Sequence, residues 1–209
     1  CTAFTCGTDV TWTYNGGSVT YGTVLSSTGE CWMDRNLGAS QVATSSTDAN
    51  SYGDLFQWGR GDDGHQDRSS STTSTNSNSP GHGDFITEAS SPFDWRSTQD
   101  DNLWQGVSGI NNPCPSGWRL PTETEWQAER TTDFTSNNAA GAFGSVLKLP
   151  LAGSRNHSNG SLGLVGAGGY YWSSTVSDTY ARDLLFGSGN ASMGAYRRAS
   201  GFSVRCLKD

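Results

Sequence analysis

The sequence predicts an α+β fold of short antiparallel strands, one or two helices and long irregular loops, in a single domain over residues 1–209. Three observations predict it. Glycine occurs 27 times and charged residues make up only 16% of the chain, a composition of many turns and much irregular backbone. Hydrophobic residues reach only 33%, yet there are 8 Trp, 8 Phe and 7 Tyr, so the core is aromatic and small. A single strong helix start stands at mid-chain, whereas the last forty residues alternate as strands do.

Taken in order, Val10, Trp12 and Tyr14 alternate with threonines, Asn15-Gly16-Gly17 forms a turn, and Val19, Tyr21 and Val24 follow, which together predict a hairpin. Cys31-Trp32-Met33 reads as another short strand. Tyr52 to Trp58 is apolar without clean alternation, and strand and helix both stay open there. Residues 59–112 form a long polar insertion. Its first part carries Gly, Asp, Ser, Thr, Asn and Pro with few aliphatic side chains, and 69–79 approaches low complexity. Such a segment buries too little apolar surface to offset its ordering entropy, so its order would point to an ion, a neighbouring molecule or a dense set of backbone hydrogen bonds.

The helix start follows. Pro121 favours an extended residue before it, Thr122 is a good N-cap and Glu125 sits three residues on to close a capping box, so a helix of two to three turns begins near Glu123 and ends before the polar run 131–138. Glu125 is assigned to the cap, and Glu123 and Glu129 to a solvated helix face. Leu147 to Gly153 then reads as a short buried strand, and 154–169 as a Gly/Asn/Ser loop. Residues 170–173, 181–186, 191–193 and 202–206 are four strand candidates that would form a curved antiparallel sheet beside the helix.

Five blocks in order also resemble one known family, the Fibrobacter succinogenes major paralogous domains. They are Glu30-Cys31-Trp32-Met33-Asp34-Arg35-Asn36-Leu37-Gly38, Tyr52-Gly53-Asp54-Leu55-Phe56-Gln57-Trp58-Gly59, the run from Cys114 to Trp126, Tyr171-Trp172-Ser173-Ser174-Thr175, and Gly201-Phe202-Ser203-Val204-Arg205-Cys206. The resemblance implies a C-type-lectin-like fold, related to formylglycine-generating enzymes and to the variable proteins of diversity-generating retroelements. In the latter, the region equivalent to 177–200 displays the binding surface, which by resemblance assigns Asp178, Tyr180, Asp183, Leu185, Tyr196 and Arg198 to ligand contact.

Thirteen basic residues against 20 acidic ones give a net charge of −7, which works against a nucleic-acid partner. No run approaches the roughly 18 apolar residues of a transmembrane segment. Cys1 admits a lipidated terminus or a boundary inside a longer polypeptide. The five cysteines have no zinc-site spacing and point to an oxidising compartment, secreted or on the cell surface of a bacterium. The pairs we expect are Cys6 with Cys31 and Cys114 with Cys206. Cys1 with Cys6 competes, and it would leave Cys31 free.

Several residues carry chemistry in this reading. Asp62, Asp63, Asp67 and Asp84, near His65 and His82, are hard oxygen ligands for a calcium ion in an irregular loop, though without EF-hand spacing. Arg60-Gly61-Asp62 is an adhesion tripeptide of a length that chance also supplies. Trp95 and Trp104 fall in polar surroundings and are assigned as platforms for sugar rings, while Trp32, Trp118, Trp126 and Trp172 are assigned to the core. His65, His82 and His157 lie in polar loops with nothing to poise them, and the strand-rich C-terminal part offers only Cys206 in place of the reactive cysteine pair of formylglycine-generating enzymes. The expected function is therefore a non-enzymatic extracellular recognition or adhesion module for a glycan or protein. The alternative is a subunit that assembles with copies of itself into a surface filament, sheath or layer.

Overall fold

A computed structural model describes residues 4–209. Cys1, with its assignments to lipidation and to a bridge with Cys6, lies outside the described residues. The elements are β1 (Val10–Tyr14), β2 (Gly17–Tyr21), β3 (Thr23–Leu25), β4 (Cys31–Met33), β5 (Phe56–Gln57), β6 (Thr72–Thr73), β7 (Phe85–Ile86), β8 (Trp118–Arg119), α1 (Glu123–Thr132), α2 (Ala139–Gly144), β9 (Ser154–Arg155), β10 (Leu162–Gly163), β11 (Gly169–Ser177), β12 (Tyr180–Phe186), β13 (Ala191–Arg197), β14 (Gly201–Phe202) and β15 (Leu207–Lys208). Small antiparallel sheets and two helices make the fold α+β.

The β1–β2 hairpin pairs Trp12 with Val19 and Val10 with Tyr21, and its turn residues Asn15 and Gly16 both lie at positive φ, as a tight hairpin turn requires. Val24 belongs to the next strand, in a sheet ordered β3-β4-β15-β8. The capping box of α1 is complete: the Thr122 hydroxyl accepts from Glu125 N–H and the Glu125 carboxylate accepts from Thr122 N–H. The helix packs on the meander β11-β12-β13. A second four-stranded sheet, β10-β9-β14-β5, lies against the same core.

Four local expectations change. Residues 147–153 are buried but irregular: Lys148 at positive φ breaks any strand, and Leu151 N–H bonds to the carbonyl of Ser46. The 52–58 block follows a 3₁₀ turn over Ala49–Ser51 and pairs only as β5. Residues 202–206 split into β14 and β15. Glu129 is not on a solvated face. Its carboxylate is fully buried and accepts from Ser26, Thr28 and the Trp32 indole, and burial raises its pKa.

Two disulfides join Cys6 to Cys31 and Cys114 to Cys206. The second ties the approach to α1 to the last strands, where buried Arg205 donates to the carbonyls of Met33 and Leu147 and to Asn36 Oδ1. Bridges of this kind fit an oxidising setting.

The polar insertion is ordered by its own contacts. Arg60, 1% exposed, donates to Asp63, to Gln57 and to the carbonyls of His82 and Asp84, and its guanidinium lies 5.4 Å from the Trp95 ring centroid. Arg155 binds the carbonyls of Asp67, Ser70 and Gly160 and covers the Phe85 ring at 4.3 Å. His65 donates from Nδ1 to Asp63 and accepts Gln57 N–H at Nε2, which fixes it neutral, and burial pushes its pKa down to about 4. These bonds tie residues 60–84 of the insertion to one another and to β9.

Candidate functional site

Several assigned binding residues turn out to be structural. Trp95 and Trp104 are 1% and 0% exposed, and their indoles donate inward, to the carbonyl of Trp58 and to those of Arg60 and Asn111. They are core residues of the insertion and offer no ring to a sugar. Arg198 is also fully buried, donating to Asp101 and to the carbonyls of Asp100 and Asp178 under the Trp58 ring. Asp183 is fully buried in the middle of β12 with both carboxylate oxygens unpartnered, and burial pushes its pKa up to about 7.

The acidic set does not converge. Asp63 is bound to Arg60 and His65, Asp67 accepts from Ser69, Asp62 faces the amide of Asn15 and Asp84 faces His82. Among the described residues no three His, Cys, Asp or Glu side chains stand together as an ion's ligands would. Because Arg60 is buried, the Arg60-Gly61-Asp62 tripeptide presents no free guanidinium.

Asp178, Tyr180, Leu185 and Tyr196 remain accessible to differing degrees. Asp178 sits at the β11–β12 turn, Tyr180 pairs with Arg197, and Leu185 and Tyr196 lie on one face of the meander by its register, with Asp183 between them. Only Tyr196 of these lines a cleft among the three considered next.

The largest of the three, about 380 Å³, runs beside Arg60, Asp62, Asn78 and Asn111. A second, about 290 Å³, lies by Asn50, Asp54 and Arg68. Neither is lined by a buried polar atom without a partner. The third, about 210 Å³, opens between the β9–β10 hairpin and the link from β13 to β14, and Ser200 Oγ on its wall is 1% exposed and unpartnered.

Local structure explains how this third cleft is built. Phe202, paired with Phe56 across β14–β5, is stacked on Trp172 at 4.3 Å and supports the Tyr196 ring at 5.2 Å, so Tyr196 stays 39% exposed on a rigid base. Leu164 lines the same cleft, 57% exposed and held at a positive φ of 54°, a conformation costly for a leucine and retained only where its surroundings impose it. Its neighbours Leu162 and Val165 are exposed as well. His157 donates from Nδ1 to the carbonyl of Glu88 and packs edge-on against Phe93, and its Nε2 has no partner among the described residues. Asn156 Oδ1 is occupied by Ser158, and its amide NH₂ has no partner among the described residues.

Ser200, Leu164 and Asn156 were not singled out from the sequence, and His157 was set aside as unpoised. The readable signal was Leu162-Gly163-Leu164-Val165, an apolar run inside an otherwise polar loop. Ser200 carried no signal, because its orphaned hydroxyl exists only after β14 folds against β9.

One family model matches the chain, Domain of unknown function (DUF8237), over residues 129–207. That span holds the meander and every residue named in this cleft. No curated protein and no solved structure matches.

Proposed function

We propose that the chain is an extracellular recognition module on a C-type-lectin-like frame, secreted or displayed at the cell surface, and that its ligand sits in the Tyr196 cleft. The observation that carries this reading is that one cleft is lined by an exposed aromatic ring backed by Phe202, by an exposed leucine at positive φ, and by a serine whose buried hydroxyl has no partner. Apolar walls with a few convergent polar groups are how ligand sites are built. The two disulfides support an extracellular setting, and no helix of the described residues is long and apolar enough to cross a membrane. The five blocks that resemble the Fibrobacter succinogenes major paralogous domains support the frame.

Binding without turnover is the reading, and what supports it is that Nδ1 of His157 faces the carbonyl of Glu88 instead of a carboxylate. Self-assembly into a filament or layer is the second reading, and the internal bonds of Arg60 and Arg155 supply part of the order that motivated it. The test is a screen of the immobilised protein against panels of glycans and extracellular proteins, with Tyr196→Ala and Leu164→Ser alongside. Both variants are expected to keep the thermal midpoint and lose the signal. Full binding by both would remove the cleft from the proposal, and ordered polymers in sedimentation and electron microscopy would favour the structural subunit.

A further inference from the structure

We infer that the cleft takes one uncharged sugar ring and binds it without a metal ion, an inference that rests on the cleft being the recognition site. Size, wall chemistry and charge each narrow the ligand.

At about 210 Å³ the cleft is smaller than the roughly 300–1,000 Å³ of sites for drug-sized ligands, which leaves room for a single ring. Tyr196 and Leu164 both line the cleft and both are exposed, an apolar surface suited to the C–H faces of a pyranose, and the tyrosine adds a polar tip. The polar groups without a partner are of mixed character: Ser200 Oγ both donates and accepts, the Asn156 amide donates, and His157 Nε2 is open to a hydrogen bond. Vicinal hydroxyls, which donate and accept at once, satisfy such a set, whereas an aliphatic side chain from a protein ligand would leave Ser200 unpaired and still desolvated.

Charge excludes the acidic alternatives. No carboxylate lines the cleft. The one cation that lines it, Arg155, is committed to the carbonyls of Asp67, Ser70 and Gly160 and to Ser70 Oγ. Arg197, the next residue after Tyr196, lies 4.5 Å over the Phe93 ring and 5.9 Å over the Tyr196 ring, and is not part of the lining. A uronate or phosphate would therefore meet no free counter-charge in the lining itself, which desolvation penalises. No carboxylate lines the cleft to hold a calcium ion beside a sugar, and among the described residues no three acidic or imidazole side chains stand together.

The experiment is saturation-transfer NMR and calorimetry on the whole chain with methyl glycosides of glucose, galactose, mannose and N-acetylglucosamine, and with methyl glucuronide. It is run first in EDTA and then in excess calcium. The expected result is binding of at least one neutral glycoside in EDTA with a dissociation constant on the order of 1 mM, unchanged by calcium. Tyr196→Ala is expected to weaken it at least tenfold and Ser200→Ala about fivefold. Ser200→Ala removes an unpaired buried hydroxyl, so it is expected to fold at least as stably as the parent and to keep the test interpretable. Preference for the glucuronide, a calcium requirement, or no response from any glycoside overturns the inference. A protein ligand whose binding is lost in Tyr196→Ala while every glycoside stays silent also overturns it, and leaves the recognition reading standing. Glycoside binding unaffected by both variants overturns both.

Discussion

Asp183 gives the sharpest test of the physics inside this fold. Its side chain lies between Trp172 of β11 and Gly194 of β13, fully buried, with neither oxygen bonded. Glycine opposite it makes the room: a β-carbon on residue 194 would come within 2.9 Å of Asp183 Oδ1. Burial is the main cause of its pKa of about 7, with Arg182 drawing it down and Glu123 pushing it up. Between the unfolded value near 4 and about 7 the native state holds a proton that the unfolded state has released, so stability falls as pH rises through that window. A gap of about three pH units at 1.36 kcal/mol each makes the loss about 4 kcal/mol by pH 8. Asp183→Asn keeps the shape and cannot ionise. Urea denaturation of both proteins at pH 4, 6 and 8 should give curves whose separation grows by about 4 kcal/mol in favour of the variant, because distant titrations cancel in the difference. Separation that is constant with pH would refute the claim that this carboxyl is held unpaired and protonated.

Arg60→Ala leaves Asp63, Gln57 and two carbonyls without their donor and is expected to cost about 3–5 kcal/mol, with new proteolytic cleavage between residues 61 and 84; Arg60→Lys should rescue it only in part. The bridge between Cys114 and Cys206 spans 92 positions, so Cys114→Ala with Cys206→Ala should lower stability by about 4–5 kcal/mol in chemical denaturation, unless the reduced unfolded chain retains structure. Arg155→Ala uncovers Phe85 and frees the carbonyls of Asp67 and Ser70 from β9, so protease susceptibility near 67–70 and loss of cleft binding are expected together; binding preserved beside a nicked loop would separate the two.

Local signals were legible where neighbours in sequence decide the outcome. Thr122 and Glu125 meet within one turn, and Asn15-Gly16 sets its own hairpin, so both could be read directly. The insertion could not. Its composition argues for disorder, and what orders it is a pair of guanidiniums and a set of indoles, of which Arg60 bonds 3 to 24 positions away while others reach much further: Arg155 bonds across 85 and 88 positions, and Trp58 donates to Ser173 across 115. For the same reason Trp95 and Trp104 read as surface platforms when taken in their polar context. An indole in a polar stretch becomes core once it finds a carbonyl for its N–H and another ring for its face, as Trp104 does with Trp58 at 5.6 Å.

The insertion also shapes the cleft it does not itself line. His157 keeps its orientation because the carbonyl of Glu88, from the insertion, accepts from its Nδ1, while Glu88 N–H bonds back to the carbonyl of His157. Arg155, next but one before it, ties β9 to residues 67–70. The polar rim of the cleft is thus held from behind by a segment with almost no aliphatic core of its own. A rigid polar rim facing a rigid aromatic wall has little side-chain entropy left to lose when a ligand arrives. On the proposed reading, that preorganisation is what would let a cleft this small hold a single ring.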